Sequence, residues 1–539
     1  MNALSSATGR IWVAALLTLG ALSLGPSIAA HEHGGDLSRL GKVEFKVDCS
    51  VAAQQEFNRA MALYHSFAWQ NATDAFAAVA AADPSCGMAH WGRAMALLDN
   101  PFVWPTNLPA EKLDAVAAAL DEARSAGLKS QSERDYVEAV AAFVHDHATV
   151  DHRTRVQAFE EALGKVAESY PDDTEASVLH ALVTSANFIP EDKTYANQMR
   201  AAKILEPLFE TQPDHPGAAH YLIHTYDYPP IAKHGVEAAR RYATIAPDAP
   251  HALHMPSHIF TRLGYWQDSI ASNEASAEAA GDRSFDGHHA SDYMVYAHLQ
   301  MAQDEAARRA MEHSFAIKAI DHFGAAYAYA AMPARLALER SDWKEAVSIE
   351  LKPSAGEYPW NKYPQAEAVN ALSRGIGAAR SGDAAAAREQ QSRLMALRDA
   401  TKHPYWIEQI EIQADVVGAL ALCADGKRDD CLQALKEAAA REDASEKHVV
   451  TPGPILPARE LLADMLLDAK RPGEALTEYE AVLHKEPNRY RALAGAMEAA
   501  EQAGDAKKAR LHAAHLMKQA ANADSQRPSL QTAKALAAE

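Results

Sequence analysis

The chain has 539 residues, 48% of them apolar, and a formal net charge of −20. That length supports a large core or a long repeat array. The acidic balance fits a solvated surface and argues against nucleic acid as a partner, because phosphate recognition needs clustered Lys and Arg.

Residues 1–30 read as an export signal. Arg10 is the basic region, Ile11 to Leu24 the apolar stretch, and Ser27-Ile28-Ala29-Ala30 offers cleavage after Ala29 or Ala30. The apolar run is short for a membrane span; a retained anchor is the alternative. The expectation is an exported protein, periplasmic or secreted, with no transmembrane segment in the mature chain. Cleavage after Ala30 would expose His31-Glu32-His33, which can chelate Cu(II) or Ni(II) through the free amine; a disordered tail is the alternative.

Beyond the signal, Ala-rich runs such as Ala75 to Ala82 dominate, and Val/Ile/Thr alternation is nearly absent. Both features predict helix almost throughout. Residues 31–107 form an N-terminal segment and first repeats, and 108–175 an irregular helical segment. Residues 176–350 hold central repeats, and 351–440 further helical repeats. These follow a Pro/Gly-rich loop, Lys352 to Trp360, with exposed aromatics. Pro452, Gly453, Pro454 and Pro457 mark 441–457 as a linker; 458–525 are C-terminal repeats, and 526–539 a fraying tail. Four cysteines suit an oxidising compartment. Of three possible pairings, their arrangement suggests Cys49–Cys86 and Cys423–Cys431; four free buried thiols are the alternative.

A repeat grammar shows when prolines anchor the count. Ala72 and Phe76 precede Pro84 by the same offsets as Ala475 and Tyr479 precede Pro487, and as Ala201 and Leu205 precede Pro213. A small residue lets two helices approach, and a bulky one fills the groove beside it. These positions resemble the tetratricopeptide repeat, which implies a right-handed all-α solenoid of helix–turn–helix units. Three segments also resemble a poorly characterised family of exported bacterial repeat proteins: Asp83 to Gly92, His220 to His258, and Arg459 to Gly495. That resemblance implies fold and export, and no particular activity.

On this frame sits a beat of three i, i+4 pairs: His220 and His224, His254 and His258, His288 and Asp292, each pair 34 residues after the last. Residues i and i+4 share a helix face, and adjacent helices lie about 8–10 Å apart, so the pairs can meet. The resemblance implies that these positions, with His251 and Asp227, face the concave groove. Four imidazoles from two helices would fill a tetrahedral metal site. The candidate ligands are His220, His224, His254 and His258; His251, His288, Asp292 and Asp227 are candidate additional or supporting groups. Imidazole suits Zn, Cu, Ni or Fe alike. The alternatives are a polar core, or groove residues that contact a ligand without metal. The function expected is an exported repeat scaffold whose groove holds a His-rich, metal-dependent ligand-binding site, for a peptide, protein or small molecule. A metalloenzyme with an open coordination position, using Asp227 or Asp292 as base, is one alternative. A metal-free peptide scaffold, with Asn273 or Arg262 as clamps, is the other.

Overall fold

Local chemistry sets the helix boundaries. Ser50, Asp151, Asp173 and Asp505 cap helix starts by accepting backbone N–H groups, and Ser130 with Glu133 forms a reciprocal capping box. Prolines open the helices Pro216–Tyr226, Pro250–His254, Pro256–Arg262 and Pro472–Lys485, where a missing N–H costs nothing. The computed structural model describes residues 37–104, 108–282 and 284–538; the stretch expected to be an export signal and His31 to His33 lie outside them. Among the described residues every regular element is a helix, and successive helices pack on their chain neighbours as an α-solenoid. None of these helices is long and apolar enough to cross a membrane.

The small-against-bulky grammar is visible in the packing. A Cβ added at Gly92 would overlap the Phe76 ring, and one at Gly495 the Tyr479 ring. Each aromatic therefore fills a space that the glycine opens on the next helix. Two large apolar cores result, one spanning Leu40 to Phe260 and one Val295 to Ala509. The run between them carries His289 and Tyr293. The solenoid also curls on itself: Trp266 donates its indole N–H to Asn488 O at 2.8 Å, and Lys447 Nζ reaches Asp227 at 2.9 Å.

Cys49–Cys86 and Cys423–Cys431 are both bonded. Three other regions differ from expectation. Tyr358 and Trp360 are buried rather than exposed, because the Tyr358 hydroxyl bonds Ile320 O at 2.8 Å and the Trp360 indole bonds Pro353 O at 2.8 Å. Of the 441–457 linker, 441–444 complete the helix Arg428–Ala444, and the strap that follows is buried from Val450 on: Val450, Thr451, Ile455 and Leu456 are covered, and Arg335 donates to Thr451 and to Gly453 O. The tail forms the helix Pro528–Ala538, held by an Arg527–Asp304 ion pair that sequence spacing gives no hint of.

Candidate metal centre

The Pro216–Tyr226 helix places His220 and His224 one turn apart, ring centroids 4.9 Å from each other. The next repeat's first helix is split. Pro256 has no N–H for Ala252 O, so the chain tightens at Met255, where His258 N bonds Met255 O at 3.1 Å. His251 and His254 lie before the break and His258 after it. The Phe285–Gln300 helix supplies His289.

These six imidazoles fall into two groups of three, His220, His224 and His251, and His254, His258 and His289. Within each group the ligand atoms all lie within 4.8 Å of one another. The four residues expected to form one sphere are thus divided between two. His288 and Asp292 join neither group. His288 Nδ1 bonds Ser314 Oγ at 2.9 Å and its Nε2 faces the Tyr329 hydroxyl at 2.9 Å, while Asp292 pairs with Arg335 at 2.8 Å. The reason is register: His289 follows His254 by 35 residues, not 34, so one extra residue near the Gly281 turn moves the adjacent histidine onto the inward face. Tyr293 occupies the place equivalent to His258, its ring 5.3 Å from that imidazole.

Partners at Nδ1 fix three of the rings. His220 donates to His65 O at 2.6 Å, the end carbonyl of the Val51–His65 helix. His254 donates to Asn273 Oδ1 at 2.6 Å, and the amide is oriented by its own Nδ2 donating to Ser269 O at 2.7 Å. His258 donates to Asp227 at 2.8 Å. Each therefore turns a bare Nε2 lone pair inward, the arrangement that supporting hydrogen bonds impose on metal-ligating histidines. His254 Nε2 and His258 Nε2 face each other at 3.0 Å, and His251 Nε2 and His220 Nε2 at 3.2 Å. His224 Nε2 and His289 Nδ1 are buried without a hydrogen-bond partner.

Electrostatics keep these rings neutral. Burial first, and neighbouring imidazoles second, hold His220, His224, His254 and His289 well below the usual histidine range, and His251 likewise. Burial would raise the Asp227 carboxyl, but Lys447, Arg262 and His258 together hold it well below the usual range. Burial lowers Lys447 to about 8. Asn273 accepts from His254 at 2.6 Å, and Arg262 donates to Asp227 at 2.8 Å.

A cavity of 380 Å³ opens beside both groups, lined by His224 and His251 from one and by His258 and His289 from the other. Phe67, Trp69, Phe285, Phe323 and Trp406 wall it, and Asp99, Asn100, Asp286, His322, Gln365, His403 and His448 are its further polar groups. Asp227 and Asp292 are not among its lining residues; Asp286 is, its carboxyl held above the usual range by burial. Sequence reasoning missed His289 as a ligand candidate in place of His288, and Lys447 on the strap. A third cluster, His65, Glu175 and His215, is chemically different. His65 and His215 both pair with Glu175, at 2.8 and 2.6 Å, and the remaining ring nitrogens bond the Tyr221 hydroxyl and Ala218 N–H, so every donor is matched.

No protein-family model matches the chain, and no curated protein matches it. Solved structures give distant likenesses. The APC/C hetero-tetramer Cut9-Hcn1 is 14% identical over 84% of this chain and 78% of that one, at a TM-score of 0.33. The human IFIT1 dimer with PPP-AAAA is 12% identical over 89% and 96%, at 0.38. The TPR domain of P58(IPK) is 12% identical over 85% and 100%, at 0.20. The likeness is confined to a helical-repeat fold.

Proposed function

We propose that this protein is an exported repeat protein that holds transition metal inside its solenoid and offers it to a small molecule in the adjoining cavity. One observation carries the reading. His254 and His258 both donate from Nδ1, to Asn273 and Asp227, so the two Nε2 lone pairs facing each other at 3.0 Å repel. A shared proton would require a buried imidazolium, which burial disfavours. A metal ion resolves the contact. At bonds of about 2 Å, separations of 3.0 and 3.2 Å correspond to N–metal–N angles of roughly 95–105°.

The cavity's size suits a small molecule: 380 Å³ lies within the range of small-ligand pockets, about 300–1,000 Å³. Two disulfides support export to an oxidising compartment. If the centre is catalytic, Asp286 is the carboxylate placed to act as base, since it lines the cavity where Asp227 and Asp292 do not, and the other lining carboxylate, Asp99, is already paired with Lys112 at 3.2 Å.

The test is elemental analysis of untagged protein, wild type beside H224A/H258A. Stoichiometric metal in the wild type and its loss in the variant are expected. Substoichiometric metal in both, after loading with Zn(II), Cu(I), Ni(II) and Fe(II) in turn, would overturn the reading.

A further inference from the structure

We infer that the centre is dinuclear: two copper ions, each on three imidazoles, sharing one opening to the cavity. This rests on the metal-binding reading above and adds number, identity and arrangement.

Number follows from geometry. One ion binds nitrogens about 2.0–2.1 Å away, so its ligand atoms must lie close together. They do within His220, His224 and His251, and within His254, His258 and His289. Ring centroids do not draw this division, since His224 and His251 stand 6.4 Å apart within one group and His224 and His258 6.1 Å apart between groups; the ligand nitrogens draw it. Each group also contains its own buried nitrogen lacking a hydrogen-bond partner, His224 Nε2 in one and His289 Nδ1 in the other. A single ion would satisfy one of these and strand the other. Both groups contribute two rings to the same cavity wall, so the two ions would face one shared space.

Identity follows from charge. All six ligands are neutral, and no carboxylate belongs to either group. Asp227 reaches the centre through the His258 ring, and it is already shared with Arg262 and Lys447. Two divalent ions would place four uncompensated charges beside two buried cations. Cuprous ions halve that charge and accept three neutral imidazoles. Iron and manganese centres usually recruit carboxylates, which are absent from these groups.

The experiment is anaerobic titration of the full-length protein with Cu(I) against a chromogenic cuprous chelator. Two tightly held equivalents are expected in wild type, and one in each of H224A and H289A. None is expected in the double variant, and two in H288A, whose side chain points elsewhere. If either alanine variant melts early, H224Q and H289Q replace it. Oxidation of the loaded wild type should give a weak or silent Cu(II) resonance from a coupled pair, whereas H224A and H289A should each show one full spin. No cuprous equivalent in a wild type that still takes up Zn(II), Ni(II) or Fe(II) would overturn the choice of copper, and no uptake of any of the four would overturn the metal reading as a whole. One equivalent, lost in both single variants, would overturn the pair and leave a mononuclear site. Two full isolated spins would overturn the shared opening. Displacement of copper by equimolar Zn(II) would overturn the choice of metal.

Discussion

Asp227→Asn tests how the centre is supported. The carboxylate is buried and neutralises Arg262 and Lys447 while accepting from His258, at 2.8, 2.9 and 2.8 Å. An asparagine keeps an acceptor for His258 but leaves two cations without their counter-charge. Breaking a buried pair in this way costs about 3–5 kcal/mol. The molecule has one relief: Lys447, already lowered to about 8 by burial, can lose its proton. Reaching neutrality from about 8 at pH 7 costs on the order of 1 kcal/mol, and less once Asp227 no longer stabilises the ammonium. The expected net loss at pH 7 is therefore about 2–4 kcal/mol. It should grow at pH 5.5, where Lys447 stays charged, and shrink at pH 9, where it is neutral. Chemical denaturation of wild type and variant at the three pH values measures it, and D227N/K447M should recover part of the deficit. Metal affinity should fall by about 10–100-fold, the usual effect of removing a ligand's hydrogen-bond partner. A deficit below about 1 kcal/mol at every pH, or one that grows with pH, would refute the assignment of Asp227 as the counter-charge.

Gly92→Ala and Gly495→Ala should each cost about 1–3 kcal/mol by forcing Phe76 or Tyr479 off its seat, whereas Gly473→Ala, with open space around it, should be nearly neutral in the same denaturation assay. Burial raises Glu442 to about 7, so its contribution is fully present below the ordinary glutamate value and lost as pH rises through 7. Glu442→Gln should therefore match wild type near pH 4.5 and exceed it by about 1–3 kcal/mol at pH 8.5, read from denaturation midpoints. Serine replacement of both cysteines should cost about 4 kcal/mol for Cys49–Cys86, which spans 37 residues, against about 2.5 for Cys423–Cys431, which spans 8. Equal losses would count against loop entropy as the source.

The helical-repeat fold was legible because its signals are local. Pro84 and Pro487 punctuate helix pairs, and Phe76 and Tyr479 recur at fixed offsets from them, opposite glycines that the structure places under their rings. The histidine beat was legible for the same reason in its first two pairs. It misled at the third, since one additional residue before the Phe285–Gln300 helix rotates every side chain by about 100° and exchanges His288 for His289. The division of the four expected ligands into two groups was hidden too, since it depends on the break at Pro256 and on how the helices cross. The strap read as a linker because Pro and Gly signal irregular backbone, and irregular backbone is usually at the surface. Nothing in residues 445–457 alone records that Arg335 and Tyr293 satisfy its carbonyls.

Lys447 lies 220 residues beyond Asp227, and the carbonyl that orients His220 lies 155 residues before it. A repeat array ordinarily matures unit by unit, each turn needing only its neighbours. This centre breaks that rule: its histidines are synthesised long before the lysine that balances their aspartate. On the proposed reading, metal capture in the final geometry would wait for the strap that carries Lys447 to arrive. Fragments ending before the strap would carry all six imidazoles yet lack the counter-charge that completes their surroundings.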